Sequence, residues 1–76
     1  MNQKVTVHVS YANMDYNKDY PAGTTVKEFA WGFIEEQMLD DGCFVTVNGK
    51  NMTRDLDYAL QDGDQIVVMP MVLSGG

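Results

Sequence analysis

The stretch TVKEFAWGFI, residues 25–34, decides the fold because it predicts the one long helix of the chain. Thr25 and Glu28 stand three residues apart, which is the capping-box pattern that begins a helix. Trp31 falls beside the apolar stripe and is expected to be partly exposed, as is Met38. The helix is predicted to end at 40–42, with Gly42 as a left-handed cap. The apolar stripe recurs at helical spacing at Val26, Phe29, Ala30 and Phe33, with Ile34 at its edge.

Strands are predicted on both sides of this helix. Before it, residues 3–9 alternate valine with polar side chains, residues 10–17 indicate a connection, and a second strand follows near 16–20. After it come an apolar strand at 43–47, a turn at Asn48-Gly49 and a short return at 50–52. Residues 53–60 predict a short helical turn that buries Leu56 and Leu60. A tight turn at 61–64 then leads into the last strand at 66–69.

This order of elements predicts an α+β roll, a mixed sheet packed on one main helix. A right-handed crossover would place the last strand beside the first, in the centre of the sheet. One alternating pair of that strand then points away from the helix and would form an exposed apolar patch. The pattern leaves open whether that pair is Val67 and Met69 or Ile66 and Val68. Residues 1–70 are predicted to form this domain, and 71–76 a flexible C-terminal tail.

The composition limits the classes of partner. Eleven acidic residues stand against five basic ones, a formal net charge of −6, so binding to nucleic acid is not expected. The acidity suits a positively charged protein partner, or it serves solubility alone. No apolar run approaches the length of a membrane span, and the N-terminus does not resemble a signal peptide. The single cysteine, Cys43, is interpreted as a buried structural thiol, and the chain is predicted to be cytoplasmic.

The side chains predict no catalytic site and no metal site. Asp62 and Asp64 flank a glycine and are interpreted as turn-forming residues rather than as a pair of catalytic carboxylates. His8 alternates with the valines of the first strand and is expected to be solvated. We expect little room for a pocket of several hundred Å³, and therefore no enzyme.

The chain ends in Gly75-Gly76, directly after an uncharged apolar run. Two residues without a Cβ contribute nothing to packing, but they can enter a narrow channel and present the terminal carboxylate to a reactive centre. The candidate site is therefore the Gly76 carboxylate, with Gly75 beside it. The residues before it are predicted to bind partners: Val67, Met69, Pro70, Met71, Val72, Leu73 and Ser74.

Several motifs resemble the ubiquitin-like β-grasp sulfur carriers, the family of the thiamine-thiazole sulfur carrier and the molybdopterin synthase small subunit. They are Gly23-Thr24-Thr25-Val26 before the helix, Val45-Thr46-Val47-Asn48 in the third strand, Leu60-Gln61-Asp62-Gly63-Asp64 before the last, and Ser74-Gly75-Gly76 at the end. The resemblance implies a β-grasp fold and no bound cofactor. It also implies three partners: an E1-like adenylyltransferase that uses ATP, a sulfur-donating enzyme, and a synthase that receives sulfur from a Gly76 thiocarboxylate.

Two other functions remain open at this stage. A ubiquitin-like modifier joined to target proteins through Gly76 would use the same activation chemistry. A non-covalent binding module of the same fold would make no use of the terminal glycines. The sulfur acceptor also stays open, among the thiamine thiazole pathway, the molybdopterin pathway and another pathway.

Overall fold

The computed structural model describes residues 3–71. These residues form one helix and five strands, in an order close to that predicted from the sequence. The elements are β1 Lys4–Tyr11, β2 Met14–Pro21, α1 Val26–Gln37, β3 Cys43–Val47, β4 Lys50–Asn51 and β5 Gln65–Pro70.

The five strands form one mixed sheet in the order β2-β1-β5-β3-β4. β1 and β5 run parallel, and the other neighbouring pairs run antiparallel. The last strand therefore lies beside the first in the centre of the sheet, which confirms the prediction from crossover handedness. The α+β architecture with one main helix on a mixed sheet is confirmed as well.

The helix begins as predicted but ends earlier. The Thr25 hydroxyl accepts the Glu28 N–H at 3.2 Å, and the Glu28 carboxylate accepts the Thr25 N–H at 3.0 Å. At the other end the left-handed cap is Met38, with φ 56°, rather than Gly42, which also has a positive φ, 84°, but lies in the loop beyond the helix. The Leu39 N–H reaches back to the Ile34 carbonyl at 3.0 Å, as in a Schellman motif. Leu39 packs against the core, and this burial explains why the chain turns inward before the predicted cap.

The core lies between α1 and the inner face of the sheet. Phe29 and Phe33 on the helix are 1% exposed, and each meets a tyrosine edge-to-face, Tyr20 at 5.6 Å and Tyr11 at 5.0 Å between ring centroids. The helix contributes Val26 in addition. The sheet and the loop before β5 contribute Val7, Val9, Val45, Val47, Met52, Leu60, Ile66 and Val68.

The first hairpin is longer than predicted. β1 continues to Tyr11 and β2 starts at Met14, so a two-residue turn replaces the expected connection over 10–17. Ala12 in this turn has φ 55°, a left-handed conformation typical of tight hairpin turns. The additional pairs gain support from the contact of Tyr11 with the helix, an interaction that the local sequence does not reveal.

The segment before β5 is irregular, and the predicted helical turn over 53–60 is wrong. Leu60 is 1% exposed as expected, but Leu56 is 42% exposed. The side chain of Asp64, itself 5% exposed, organises this region. It accepts hydrogen bonds from the Asn48 amide at 3.0 Å, the Tyr58 hydroxyl at 3.0 Å and the Gln61 N–H at 2.8 Å. These bonds join the β3–β4 turn to the start of β5 in place of a local helix.

Candidate functional site

The central strand β5 carries the described part of the candidate site. Its side chains alternate, and Ile66 and Val68 lie in the core while Val67 and Met69 point away from the helix. Val67 is 41% exposed and Met69 is 48% exposed. The structure thus answers which alternating pair forms the exposed apolar patch. Its face of the sheet is the one that α1 does not cover.

Phe44 on the neighbouring strand completes this surface. It lies directly opposite Met69 in the antiparallel pairing of β3 with β5 and is 41% exposed. We call Phe44, Val67 and Met69 the outer patch. Sequence reasoning did not single out Phe44, although the alternation of β3 placed it on the face opposite Val45 and Val47. An exposed aromatic side chain beside two exposed aliphatic ones is typical of a protein interaction surface.

Polar side chains border the outer patch on the hairpin side. Ser10 pairs with Val67, and its hydroxyl donates to the Asp15 carboxylate. His8 is solvated as predicted, with its Nδ1 at 3.0 Å from the Asn17 amide oxygen. Hydrogen bonding from Thr6 and then from Lys4 lowers the pKa of Asp19 below its usual value. Lys4 pairs with the Asp19 carboxylate at 3.0 Å, so the acidic character of this border rests mainly on Asp15, which suits a partner with a basic side chain beside an apolar centre.

The chain leaves the sheet after β5 at a defined point. Pro70 is exposed and pairs with Cys43, and the Met71 N–H donates to the Gly42 carbonyl at 3.0 Å. Met71 is half-buried. The remaining predicted site residues lie outside the described residues, so their assignments stay predictions; they are Val72, Leu73, Ser74, Gly75 and Gly76.

The other candidate side chains have structural partners or surroundings. Asp62 accepts the Thr6 N–H at 2.8 Å, so it and Asp64 fix backbone rather than face each other across a site. Cys43 is half-buried rather than fully buried, and this burial raises the pKa of its thiol. A raised pKa disfavours the thiolate at neutral pH, which agrees with a structural role. Trp31 is 67% exposed and Met38 is 82% exposed, more than the sequence suggested.

The expectation of little room for a pocket is wrong. A hollow of about 610 Å³ lies beside the β3–β4 turn, with Met52, Arg54 and Tyr58 among its lining residues. Its carboxylate Asp55 pairs with Lys50 at 3.3 Å. Within residues 3–71 no three His, Cys, Asp or Glu side chains cluster as metal ligands would. In that same part of the chain, no helix has the length and apolar character needed to cross a bilayer.

Solved structures with the same fold are ubiquitin-like. Caldiarchaeum subterraneum ubiquitin is similar at a TM-score of 0.75 and 13% identity, over 96% of this chain and 100% of that one. The ubiquitin-like domain of an Arabidopsis thaliana protein is similar at a TM-score of 0.72 and 16% identity, over 97% of this chain and 84% of that one. The C-terminal ubiquitin-like domain of mouse tubulin-specific chaperone e is similar at a TM-score of 0.67 and 15% identity, over 99% of this chain and 94% of that one. At these identities the likeness establishes the fold alone.

Sequence comparison assigns the family. No curated protein matches the chain significantly. The sequence model of the ThiS family, however, matches residues 3–76 and so includes the whole sheet, the helix and the terminal diglycine. The resemblance first suggested by separate motifs therefore extends over nearly the full length of the sequence. A ubiquitin-like β-grasp sheet on one helix, together with this match, means that the chain belongs to the ThiS family.

Proposed function

We propose that this protein is a sulfur carrier, a macromolecular cosubstrate rather than an enzyme. A separate E1-like adenylyltransferase uses ATP to activate the Gly76 carboxylate, which is then converted to a thiocarboxylate. A synthase receives the sulfur. The observation that carries the proposal is the family match, which runs through the last residue and includes the diglycine. We place this exchange in the cytoplasm, where a free thiol such as Cys43 stays reduced.

The chemistry explains why the terminus needs activation. A carboxylate is a poor electrophile, so its oxygen first attacks the α-phosphate of ATP and releases pyrophosphate. The acyl-adenylate that forms has AMP as a good leaving group. A persulfide sulfur of the donating enzyme displaces AMP and gives an acyl disulfide. A thiol then cleaves the S–S bond, which leaves the thiocarboxylate on Gly76 and a disulfide between the two thiols.

The described residues support a docking role in this exchange. Two of the three outer-patch residues, Val67 and Met69, lie on β5, the strand that leads through Pro70 and Met71 to the terminus. Methionine side chains adapt to differently shaped surfaces, and this property suits a carrier that meets several enzymes in turn. Asp15 on the hairpin border adds a preference for a basic partner. Val72, Leu73 and Ser74 are proposed to extend this contact into the partner's channel.

Intact mass spectrometry tests the chemistry. The chain is incubated with ATP, a sulfur source and extract from the source organism. The proposal requires a mass increase equal to replacing one oxygen by sulfur, located at Gly76 and absent after deletion of Gly76. Extension by one residue should also abolish activation without changing the fold. Isopeptide-linked adducts on an otherwise unmodified terminus would indicate a protein modifier. No change at all would leave a non-covalent binding module.

A double substitution tests the docking role of the outer patch. Val67→Thr with Met69→Gln preserves β-branching and chain length while removing exposed apolar surface. We expect kcat/KM for adenylation to fall at least tenfold, with unfolding little changed. Leu56→Gln is the matched control, because Leu56 is 42% exposed but lies beside the start of the helix, where its carbonyl accepts the Lys27 N–H. Equal losses in both variants would refute the docking role.

The sulfur acceptor is tested separately. We propose either the thiamine thiazole precursor or the molybdopterin precursor, as the family resemblance allows. Purified thiocarboxylated protein is offered to a thiazole synthase and to a molybdopterin synthase large subunit. Loss of the sulfur-derived mass increment with only one of them would assign the pathway.

A further inference from the structure

A second exposed apolar surface lies on the helix side of the molecule, away from the outer patch. A groove of about 400 Å³ runs between the last turns of α1 and the loop that follows it. We call it the helix-end groove. Its lining residues are Trp31, Ile34, Glu35, Leu39, Asp40 and Gly42.

The exposed indole at this groove is not explained by packing. Trp31 is 67% exposed. On the same side of the helix, Ile34 is half-buried and Met38 is 82% exposed. Tryptophan is large and is usually well buried in a monomer, but it is enriched where one protein anchors on another. The groove therefore offers an exposed aromatic wall, Trp31, and an aliphatic wall formed by the half-buried side chains of Ile34 and Leu39.

The two charged residues that line the groove are both acidic, while Lys27 lies one helical turn away, in a neighbouring hollow that Trp31 also lines. Glu35 and Asp40 line the groove, and the last turn of α1 carries no basic residue. The C-terminal end of a helix is itself partially negative, so carboxylates there raise its negative potential further. Lys18 pairs with Glu36 at 3.0 Å, but no ion pair within residues 3–71 involves Glu35 or Asp40. A cationic side chain from outside would complement this site.

The groove also borders the point where the chain leaves the sheet. Gly42 lines the groove, and its carbonyl holds the Met71 N–H at 3.0 Å. A protein segment bound in the groove would therefore stand next to the start of the tail. It would do so without covering the outer patch, which lies on the opposite face of the sheet.

We propose that the helix-end groove binds a partner protein through a lysine or arginine side chain next to an apolar one. The apolar side chain packs between Trp31 and Leu39. The cation lies near Glu35 and Asp40 and within reach of the indole face, where the ring quadrupole attracts it. The further inference that this partner is one of the enzymes that act on the C-terminal tail rests on the proposed function. The binding chemistry of the groove is independent of that function.

A peptide titration read by Trp31, the only tryptophan of the chain, tests the site. The probe is acetyl-Gly-Leu-Lys-Leu-Lys-Gly-amide, and the control peptide has glutamate at both lysine positions. We expect a saturable change in indole emission, and amide shifts at the groove, with the lysine peptide only. The apparent Kd should rise several-fold between 50 and 300 mM salt because partly exposed charges are screened.

Paired substitutions separate the groove from general attraction to an acidic protein. Glu35→Gln with Asp40→Asn should raise the Kd at least fivefold. Asp55→Asn with Asp57→Asn removes the same number of charges from the segment before β5, away from both the groove and the outer patch, and should leave the Kd within twofold. An absence of saturable binding, or equal losses in both double variants, would overturn the proposal.

Other occupants and the dependence on function are tested in the same samples. A change in Trp31 emission on dilution would assign the groove to a second copy, and a change on removing 72–76 would assign it to the chain's own tail; either result overturns the proposal. Deleting Gly76 should leave peptide binding intact. If the peptide binds but wild-type protein never forms a thiocarboxylate, the proposed function fails while the binding site stands.

Discussion

Replacing the buried Asp64 carboxylate should show how much of the fold depends on its hydrogen bonds. Two of its three donors, Tyr58 and Gln61, share one oxygen, while the Asn48 amide uses the other. In Asp64→Asn, the best orientation keeps the first two and turns an NH₂ toward the Asn48 NH₂. Asn48 cannot relieve this contact by flipping, because its own oxygen accepts the Gln65 N–H at 3.0 Å.

The expected magnitude follows from this count. One hydrogen bond to a charged acceptor is lost and a buried donor is left unpaired, so Asp64→Asn should cost about 2 kcal/mol of unfolding free energy. Asp64→Ala loses all three bonds and should cost about 3–5 kcal/mol, a large part of the stability of so small a domain. At roughly 4–8 °C per kcal/mol, the asparagine variant should melt about 10 °C lower or more.

Urea unfolding followed by circular dichroism measures these changes. Asp57→Asn is the matched control, since Asp57 is exposed and the substitution removes the same charge; it should stay within about 0.5 kcal/mol of wild type. Tyr58→Phe should cost about 1 kcal/mol in wild type but almost nothing in the Asp64→Ala background. If Asp64→Asn were as stable as Asp57→Asn, or if Tyr58→Phe cost the same in both backgrounds, the reasoning would be refuted.

Three further predictions concern single positions, each measured by urea or thermal unfolding. Leu60→Ala should lose about 2–5 kcal/mol and Leu56→Ala about 0.5 kcal/mol or less, because only Leu60 is buried; similar losses would contradict this difference. Because the pKa of Asp19 is lowered in the folded state, its contribution to folding stability is present above its usual pKa of 3.8 and is lost as pH falls through the folded-state value. Asp19→Asn should therefore make stability fall less steeply with acidification, and an unchanged dependence of stability on pH would exclude this effect. Met38→Gly should raise stability by about 1 kcal/mol because glycine adopts φ 56° without strain; a destabilised variant would show that the exposed side chain has a packing role.

Features fixed by neighbouring residues were predictable from the sequence. The capping box needs only Thr25 and Glu28, and the structure forms both of its hydrogen bonds. Strand β3 has the predicted bounds, Cys43–Val47, and Asn48 and Gly49 adopt the positive φ values, 52° and 85°, that a tight turn requires. In each case the interactions that decide the conformation span a few residues.

Features fixed by distant contacts were mispredicted. The helix ends at Gln37 because Leu39 turns into a core built largely by other elements. The first hairpin extends to Tyr11 because that ring meets Phe33 on the helix. Leu56 has the same apolar character as Leu60, and only the path of the chain through the Asp64 network leaves it at the surface.

The features of the candidate site also fall into those that the sequence determines and those that only the tertiary structure decides. The sequence alone determined the order of elements, the excess of acidic residues and the diglycine ending, because each of these is a property of the chain itself. The family match extends over that ending. Tertiary structure decided which side of β5 faces outward, that Phe44 joins Val67 and Met69, and that Trp31 lines a groove beside Gly42. These three features depend on strand register and on the position of the helix against the sheet, which bring together residues far apart in the sequence.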